Sequence, residues 1–118
     1  MLSKRPLLKP IAWVGSALDD LCSFPETVRK DAGYQLHRLQ AGLEAMDWKS
    51  MPEIGRGAEE IRLRHTVGSY RIIYCARVGA ALYVLHSFCK KTQRTSEHDK
   101  HIAKVRYQAV MRQCKGHQ

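Results

Sequence analysis

Residues 58–88 have the sequence AEEIRLRHTVGSYRIIYCARVGAALYVLHSF, which decides the fold of the chain. In its first part the apolar Ile61 and Leu63 alternate with the charged Arg62 and Arg64. Side chains on a β-strand point alternately to its two faces, so this pattern predicts a strand with one apolar and one basic face.

Two short breaks divide the rest of this stretch. Residues 67–69 (VGS) and 79–80 (GA) have the composition of tight turns. The segments 70–76 (YRIIYCA) and 81–88 (ALYVLHSF) are rich in β-branched and aromatic residues. Three neighbouring strands joined by tight turns predict an antiparallel meander.

Upstream of the meander, the pattern predicts one short strand and two helices. The apolar run Ile11–Val14 is the strand, Ser16 begins a short helix, and Pro25 lies at the start of a second helix. Gly42 marks the end of the second helix. Its apolar stripe, at spacings of three and four residues, consists of Val28, Ala32, Leu36, Leu39 and Leu43.

A loop and a final helix complete the predicted elements. Residues 47–57 (DWKSMPEIGRG) contain one Pro and two Gly and predict a loop. Thr95 or Ser96 caps the last helix, and Asp99 follows Ser96 in a pattern close to a capping box. The weak apolar face of this helix consists of Ile102, Val105 or Arg106, and Ala109.

The predicted order β-α-α-β-β-β-α is typical of an α+β domain in which two helices cover one face of a small sheet. A length of 118 residues is that of one ordinary domain, so we expect residues 1–118 to form a single unit. Residues 1–9 form a basic, Pro-containing arm before it.

The chain is strongly basic, with 20 Lys and Arg against 11 Asp and Glu and a formal net charge of +9. Such an excess points to a polyanion, most simply nucleic acid, because contacts with phosphates release condensed counterions. A basic but inert surface, or a surface matched to one acidic protein, is the alternative, since charge concerns association rather than fold.

The sequence also bears on the compartment. No apolar run approaches the roughly 18–20 residues needed to span a bilayer, and the start MLSKRPLLKP lacks the apolar core of a signal peptide. The cysteines form no CxxC pair, and Cys22, Cys75 and Cys89 lie in apolar segments that predict core positions. We therefore expect a reduced, cytoplasmic protein.

Six basic side chains on or just after the meander strands are candidates for chemistry on a phosphate. They are Arg62, Arg64, Arg71, His86, Lys90 and Lys91. RNA cleavage without a metal requires a base for the 2′-hydroxyl, an acid for the leaving 5′-oxygen and a cation for the phosphate. Arg suits the last task, and a Lys among other cations, or a His, suits the others. A basic sheet face is more often a binding surface than an active site, so both interpretations stay open.

Other constellations are weaker. His98 and His101 are three residues apart on the last helix, but the sequence offers no obvious third ligand, so we expect no metal site. Glu59 and Glu60 are adjacent on a strand and face opposite ways. Glu60 is therefore expected to balance charge on the basic face rather than to form a carboxylate pair.

Five stretches, in this order and spacing, resemble the phage-derived branch of the HigB-like toxins within the RelE/ParE superfamily. They are KPIAWVGSALDDL, FPETVRKDAGYQLHRLQAGL, DWKSMPEIGRGAEEIRL, YRIIYCA and YVLHSFCKKTQRT. The similarity runs from about Leu8 to Met111. It implies a small RelE-like α+β fold, with two N-terminal helices packed on a curved antiparallel sheet and a helix at the C-terminus.

The resemblance also implies an activity and a site. RelE-like toxins cut mRNA in the ribosomal A site with cations on the sheet and the adjoining loop, without a metal or other cofactor. Carried over by position, the catalytic residues are Arg71, Lys90, Lys91 and His86, and the RNA-binding residues are Arg62, Arg64 and Arg94. RelE-like toxins often use a late tyrosine, whereas Tyr107 here lies inside the predicted last helix.

The implied partners are mRNA, the ribosome and a cognate antitoxin, which in this branch is usually a small helix-turn-helix protein. The expected function is therefore that of the toxin of a type II toxin–antitoxin system. Two alternatives stay open, because fold resemblance does not separate them. One is a ParE-like inhibitor of DNA gyrase, and the other is a phage-derived nucleic-acid-binding protein without catalysis.

Overall fold

The computed structural model describes residues 8–92 and 94–115, so most of the predicted basic arm lies outside the described residues. The elements are β1 (Ile11–Trp13), α1 (Ala17–Cys22), α2 (Glu26–Gln40), β2 (Trp48–Ser50), β3 (Ala58–His65), β4 (Gly68–Cys75), β5 (Leu82–Lys90) and α3 (Glu97–Lys115). The predicted α+β class is confirmed. None of the helices in the described ranges has the length and apolar character needed to cross a membrane.

The predicted meander is confirmed. β3 pairs antiparallel with β4, and β4 pairs antiparallel with β5. In the first hairpin Arg62 lies opposite Arg71, so the basic face read from the sequence continues onto the next strand. The second pairing contains a register shift between Ile73 and Tyr74, which introduces an irregularity in the middle of the β4–β5 ladder.

The sheet is mixed, so the prediction of an antiparallel sheet is wrong at one edge. The strand order is β1-β5-β4-β3-β2, and β1 pairs in parallel with β5 through Leu82–Val84. The two helices carry the chain from β1 to the far edge of the sheet. The meander then crosses back until β5 arrives beside β1, running in the same direction.

β2 lies within the segment that was predicted as a loop, so that prediction is wrong for Trp48–Ser50. These three residues pair antiparallel with Glu59–Ile61 at the edge of the sheet. Three residues are too few to show a period of two, which is why the sequence pattern did not reveal this strand.

α1 and α2 pack on one face of the sheet, over a core that includes Leu21, Val28, Ile61 and Ile72. The predicted stripe of α2 holds as far as Leu39. Leu43 lies outside the helix and is 53% exposed, so its placement in the stripe is wrong.

Gly42 explains the position of Leu43. The glycine has a φ of +83°, and the Gly42 and Leu43 amides donate hydrogen bonds to the carbonyls of Leu39 and Arg38. This is the Schellman pattern, which turns the chain away from the helix axis.

α3 packs on the opposite face, against a core that includes Ile73 and Leu85. The Asp99 amide donates a 3.1 Å hydrogen bond to Ser96 Oγ, which confirms Ser96 as the cap. The buried face of α3 consists of Ala103, Tyr107 and Val110.

The apolar face predicted for α3 is therefore wrong by about one position. Val105 is exposed, and Arg106 instead donates a 2.9 Å hydrogen bond to the Leu85 carbonyl. The phase of the helix follows from Tyr107, whose ring lies against Gly55 and whose hydroxyl donates to the Arg56 carbonyl at 2.7 Å.

Two of the predicted core cysteines are not in the core. Cys75 is buried as expected, whereas Cys22 and Cys89 are exposed. Cys22 is the last residue of α1, and Cys89 lies near the end of β5, well beyond the stretch that β1 covers. Apolar neighbours in the sequence therefore did not imply burial at these two positions.

Candidate functional site: a basic pocket on the meander

The register of the meander brings the predicted cations together. Arg62 lies opposite Arg71, and Ser69 lies between Arg64 on one neighbouring strand and Lys90 on the other. Directly opposed residues of antiparallel strands share a face. Four cations from three strands therefore project from one side of the sheet.

These side chains line an open pocket of about 720 Å³, which we call the basic pocket. Its described lining residues are Arg62, Arg64, Ser69, Arg71, Lys90, Lys91 and Thr92. Five of the seven predicted site residues are thus brought together here. The chemistry of this lining, with cations and hydroxyl groups, suits a phosphate ester.

Arg71 is the most enclosed cation of the basic pocket, with 3% of its surface exposed. Its Nε lies 3.4 Å from Oε1 of Glu60, which is itself 1% exposed. The two groups form an ion pair, but Arg71 Nε has no hydrogen-bond acceptor of good geometry among the described residues. Arg71 also donates a 3.3 Å hydrogen bond from Nη1 to the Tyr70 carbonyl.

Thr95 secures the other oxygen of Glu60. Its hydroxyl donates a 2.6 Å hydrogen bond to Glu60 Oε2. The carboxylate is therefore held between the segment before α3 and the guanidinium of Arg71. This arrangement fixes Arg71 against the floor of the basic pocket and supplies the counter-charge that a buried cation needs.

Burial and neighbouring cations shift the pKa values of two groups in the basic pocket. The pKa of Lys90 is lowered from its ordinary value, chiefly by desolvation and then by the positive charge of Arg71, while Glu60 opposes the shift. The pKa of Arg71 is also lowered by burial, yet a guanidinium starts so high that it stays charged. Lys90 is thus closer to neutrality than an ordinary lysine, as a proton acceptor must be.

The outer cations are less constrained. Arg64 is exposed and pairs with Asp47, with 3.5 Å between Arg64 Nε and Asp47 Oδ2. A pair this open to solvent contributes little to stability. The Arg64 side chain is therefore available to a phosphate at small cost.

His86 does not line the basic pocket, although it was grouped with these cations. It is 5% exposed, its Nε2 lies 2.7 Å from Asp99 Oδ1, and its ring stacks on Phe88 at a centroid distance of 4.8 Å. Burial lowers the pKa of His86, and the hydrogen bond to Asp99 only partly offsets this. A charged ring would also need an acceptor for Nδ1, and Nδ1 finds none among the described residues, so the neutral ring is favoured.

Arg94 is exposed and is not among the residues that line the basic pocket. Its carbonyl accepts a 2.6 Å hydrogen bond from the Thr92 hydroxyl, which shapes the loop after β5. Within residues 8–92 and 94–115, no three His, Cys, Asp or Glu side chains are placed to hold a metal ion.

Sequence reasoning anticipated Glu60 as a counter-charge but missed two contributors. Thr95 was considered only as a helix cap, and Ser69 only as a turn residue. Ser69 lies beside Arg64 and Lys90, and Thr95 bonds the carboxylate that holds Arg71. Only the pairing of the strands and the path of the chain into α3 bring them there.

The comparisons with known proteins place this chain in a family. No curated protein sequence matches it. Residues 19–108 match the family described as phage derived protein Gp49-like (DUF891), a range that covers most of α1, all of α2, the whole meander and most of α3. The chain that carries the basic pocket therefore belongs to the Gp49-like family of phage-derived proteins.

Proposed function

We propose that this protein is a metal-independent endoribonuclease that cleaves mRNA on the ribosome and acts as the toxin of a type II toxin–antitoxin system. One observation carries the proposal: the enclosed Arg71, held by Glu60, opens onto a pocket that it shares with Lys90. A surface that only attracts nucleic acid does not need a guanidinium fixed in this way. The resemblance to RelE-like toxins supports the same reading.

The basic pocket suggests a division of labour. Lys90, with its lowered pKa, accepts the proton of the 2′-hydroxyl, and the resulting oxygen attacks the adjacent phosphorus. Arg71 stabilises the charge that grows on the phosphate oxygens. The bond to the 5′-oxygen breaks, and Lys91 supplies the proton that this leaving group needs. The products are a 2′,3′-cyclic phosphate and a free 5′-hydroxyl.

The remaining residues hold the substrate. Arg62 and Arg64 lie along the wall formed by β3 and contact neighbouring phosphates of the strand. Arg94, on the loop outside the basic pocket, extends the path of the RNA. His86 has no step in this mechanism, because it is enclosed and paired with Asp99.

The partners follow from the same proposal. The ribosome presents the mRNA in an extended, unpaired form that fits an open pocket. A helix-turn-helix antitoxin keeps the protein silent in the cell, and the complex works in the cytoplasm.

The test is brief induction in a bacterial host, followed by primer extension on total mRNA. We expect cuts inside translated reading frames with the wild type and their loss in Arg71→Ala and Lys90→Ala. Two variants are needed because removal of Arg71 also leaves Glu60 buried without its partner, whereas Lys90→Ala leaves that pair intact. Lys104→Ala, which removes an exposed lysine of α3 outside the basic pocket, is the matched control and retains the cuts.

Two outcomes would contradict the proposal. Growth arrest with intact mRNA would favour a gyrase inhibitor, and the next measurement would be the supercoiling of plasmid DNA. Full cleavage by Lys90→Ala and Arg71→Ala would place the active site outside the basic pocket.

A further inference from the structure

Among the described residues, β1 pairs with β5 only at Leu82–Val84, which leaves one side of β5 open beyond Val84. A second pocket of about 440 Å³, which we call the edge pocket, lies between this part of β5 and the segment that joins α1 to α2. Its walls include Phe24, Tyr70, His86, Ser87, Phe88 and Cys89. Its size is within the range of small-ligand sites, about 300–1,000 Å³.

Aromatic rings form much of the wall of the edge pocket. Phe24 and Tyr70 contact each other with a centroid distance of 4.7 Å, and His86 and Phe88 are stacked at 4.8 Å. The first pair comes from the face covered by α1 and α2, and the second from the face covered by α3. The edge pocket thus offers flat apolar surfaces on both sides of the strand.

Two polar atoms of the same wall have unused hydrogen-bonding capacity. His86 Nδ1 and Ser87 Oγ are buried, and neither has a hydrogen-bond partner among the described residues. His86 is 5% exposed and Ser87 is 2% exposed. Buried polar atoms are nearly always paired, so two neighbouring exceptions on one pocket wall call for an explanation.

The carboxylate of Asp99 determines what His86 can offer. Nε2 faces Asp99 and donates to it, so in the neutral ring Nδ1 is an acceptor. The hydroxyl of Ser87 can donate or accept. The two side chains are consecutive on β5 and therefore point to opposite faces of the sheet, so the acceptor of His86 lies on the same face as Phe88 and Lys90, and the hydroxyl of Ser87 lies on the other face. An N–H group on the edge of a planar ligand can donate to His86 Nδ1.

The edge pocket adjoins the basic pocket along β5. Phe88 lies directly opposite Arg71, and Lys90 follows two residues later on the same strand. Two residues of a strand span about 7 Å. A single nucleotide can therefore place its phosphate beside Lys90 and its base beside Phe88.

We infer that the edge pocket binds an unstacked RNA base, and that it selects the nucleotide next to the phosphate held in the basic pocket. This inference rests on the proposed function and adds the specificity element to it. Bases of single-stranded RNA are recognised by stacking on aromatic side chains and by hydrogen bonds to their edges. The edge pocket supplies both on one face of β5, with the ring of Phe88 for stacking and Nδ1 of His86 as an acceptor.

Binding of mononucleotides tests this inference without depending on cleavage. The four nucleoside 5′-monophosphates and ribose 5-phosphate, which lacks a base, are titrated into the purified protein and followed by NMR of the backbone amides. We expect ribose 5-phosphate to shift only amides of the basic pocket, such as those of Ser69 and Lys90. At least one nucleotide should bind about fivefold or more tightly and also shift Ser87 and Phe88.

Two variants locate the effect. His86→Phe keeps a flat ring beside Phe88 but removes the Nδ1 acceptor, so base-dependent binding should persist while discrimination among the four bases weakens. Phe88→Leu keeps apolar volume but removes the ring, and it should reduce nucleotide affinity to that of ribose 5-phosphate. Ser50→Ala, on the exposed β2 edge, is the control and leaves all affinities unchanged.

The outcomes separate the two ideas. Equal affinity for nucleotides and ribose 5-phosphate, with shifts confined to the basic pocket, would overturn the base site and leave the proposed nuclease intact. Shifts in neither pocket would count against both. Loss of base-dependent binding in Ser50→Ala as well would also overturn the assignment.

Discussion

Replacement of Glu60 by Gln should destabilise the protein strongly, because it leaves Arg71 as an unbalanced buried cation. Glu60 and Arg71 are 1% and 3% exposed, and their charged groups are 3.4 Å apart. Gln keeps the shape of the side chain, and its carbonyl oxygen can still accept the hydrogen bond from Thr95. The change therefore isolates the charge.

The magnitude follows from the environment of the pair. Breaking a fully buried ion pair costs about 3–5 kcal/mol. Arg71 faces the open basic pocket, where water and counterions partly stabilise it, so we expect a loss of about 2–3 kcal/mol in the free energy of unfolding. For a domain of this length that corresponds to a fall of about 10 °C in Tm.

The assay is urea denaturation followed by the fluorescence of Trp13 and Trp48, in a double-mutant cycle with Arg71→Met. Removal of both charges should be less damaging than the sum of the single changes, with a coupling energy of about 2 kcal/mol. Glu59→Gln is the matched control on the same strand, because Glu59 accepts a hydrogen bond from Tyr74 and forms no ion pair with any described residue. It should cost about 1 kcal/mol.

A coupling energy below about 0.5 kcal/mol would refute this reasoning, because residues that form one charge network do not behave additively. It would mean that solvent in the basic pocket already satisfies Arg71. Glu60 would then be a packing residue rather than the anchor of the cation.

Three further predictions concern packing, pH and salt. Gly55→Ala should destabilise the protein by about 1–3 kcal/mol in thermal melts, because an added Cβ would lie 2.2 Å from the Tyr107 ring. In the same melts Gly33→Ala in α2 should be neutral or stabilising, because a Cβ at that position meets nothing within 4 Å among the described residues. The free energy of unfolding should decrease as pH falls below about 6.5, because the lowered pKa of His86 means that the unfolded chain binds the proton first. If the free energy of unfolding of His86→Leu fell with the same slope as that of the wild type between pH 7 and pH 5, this reasoning would be contradicted. Arg64→Gln should weaken binding to single-stranded RNA of any sequence and reduce the slope of log affinity against log salt by about 0.7, and an unchanged slope in filter-binding measurements would show that Arg64 contacts no phosphate.

The geometry of the basic pocket is more specific evidence for the proposed nuclease than the net charge of the chain. Net charge alone would serve any polyanion. Among the described residues, Arg71 alone combines burial, a fixed counter-charge and an opening to the basic pocket, and Lys90 is the lysine that combines a lowered pKa with the same opening. These two residues are therefore the positions where mutation is most informative.

The sequence by itself determined the meander and its basic face. Alternation over residues 58–65 places Arg62 and Arg64 on the face away from Ile61 and Leu63, and burial of the apolar face excludes a one-residue slip of the pairing. The Ser96 cap was predictable for the same kind of reason, since the Ser96 side chain and the Asp99 amide that it satisfies are only three residues apart. Local patterns of this kind carry their own physical cause.

The tertiary structure decided everything that depends on contacts between distant segments. The parallel pairing of β1 with β5, the strand β2 and the phase of α3 arise from where the chain returns, which no short window of sequence records. His86 was separated from the other cations because α3 brings Asp99 against it, and Arg71 was fixed because Thr95 arrives beside Glu60. The types of residue in the site were readable along the chain, whereas their partners are set by packing, because hydrogen bonds and ion pairs act over a few ångströms in space rather than along the sequence.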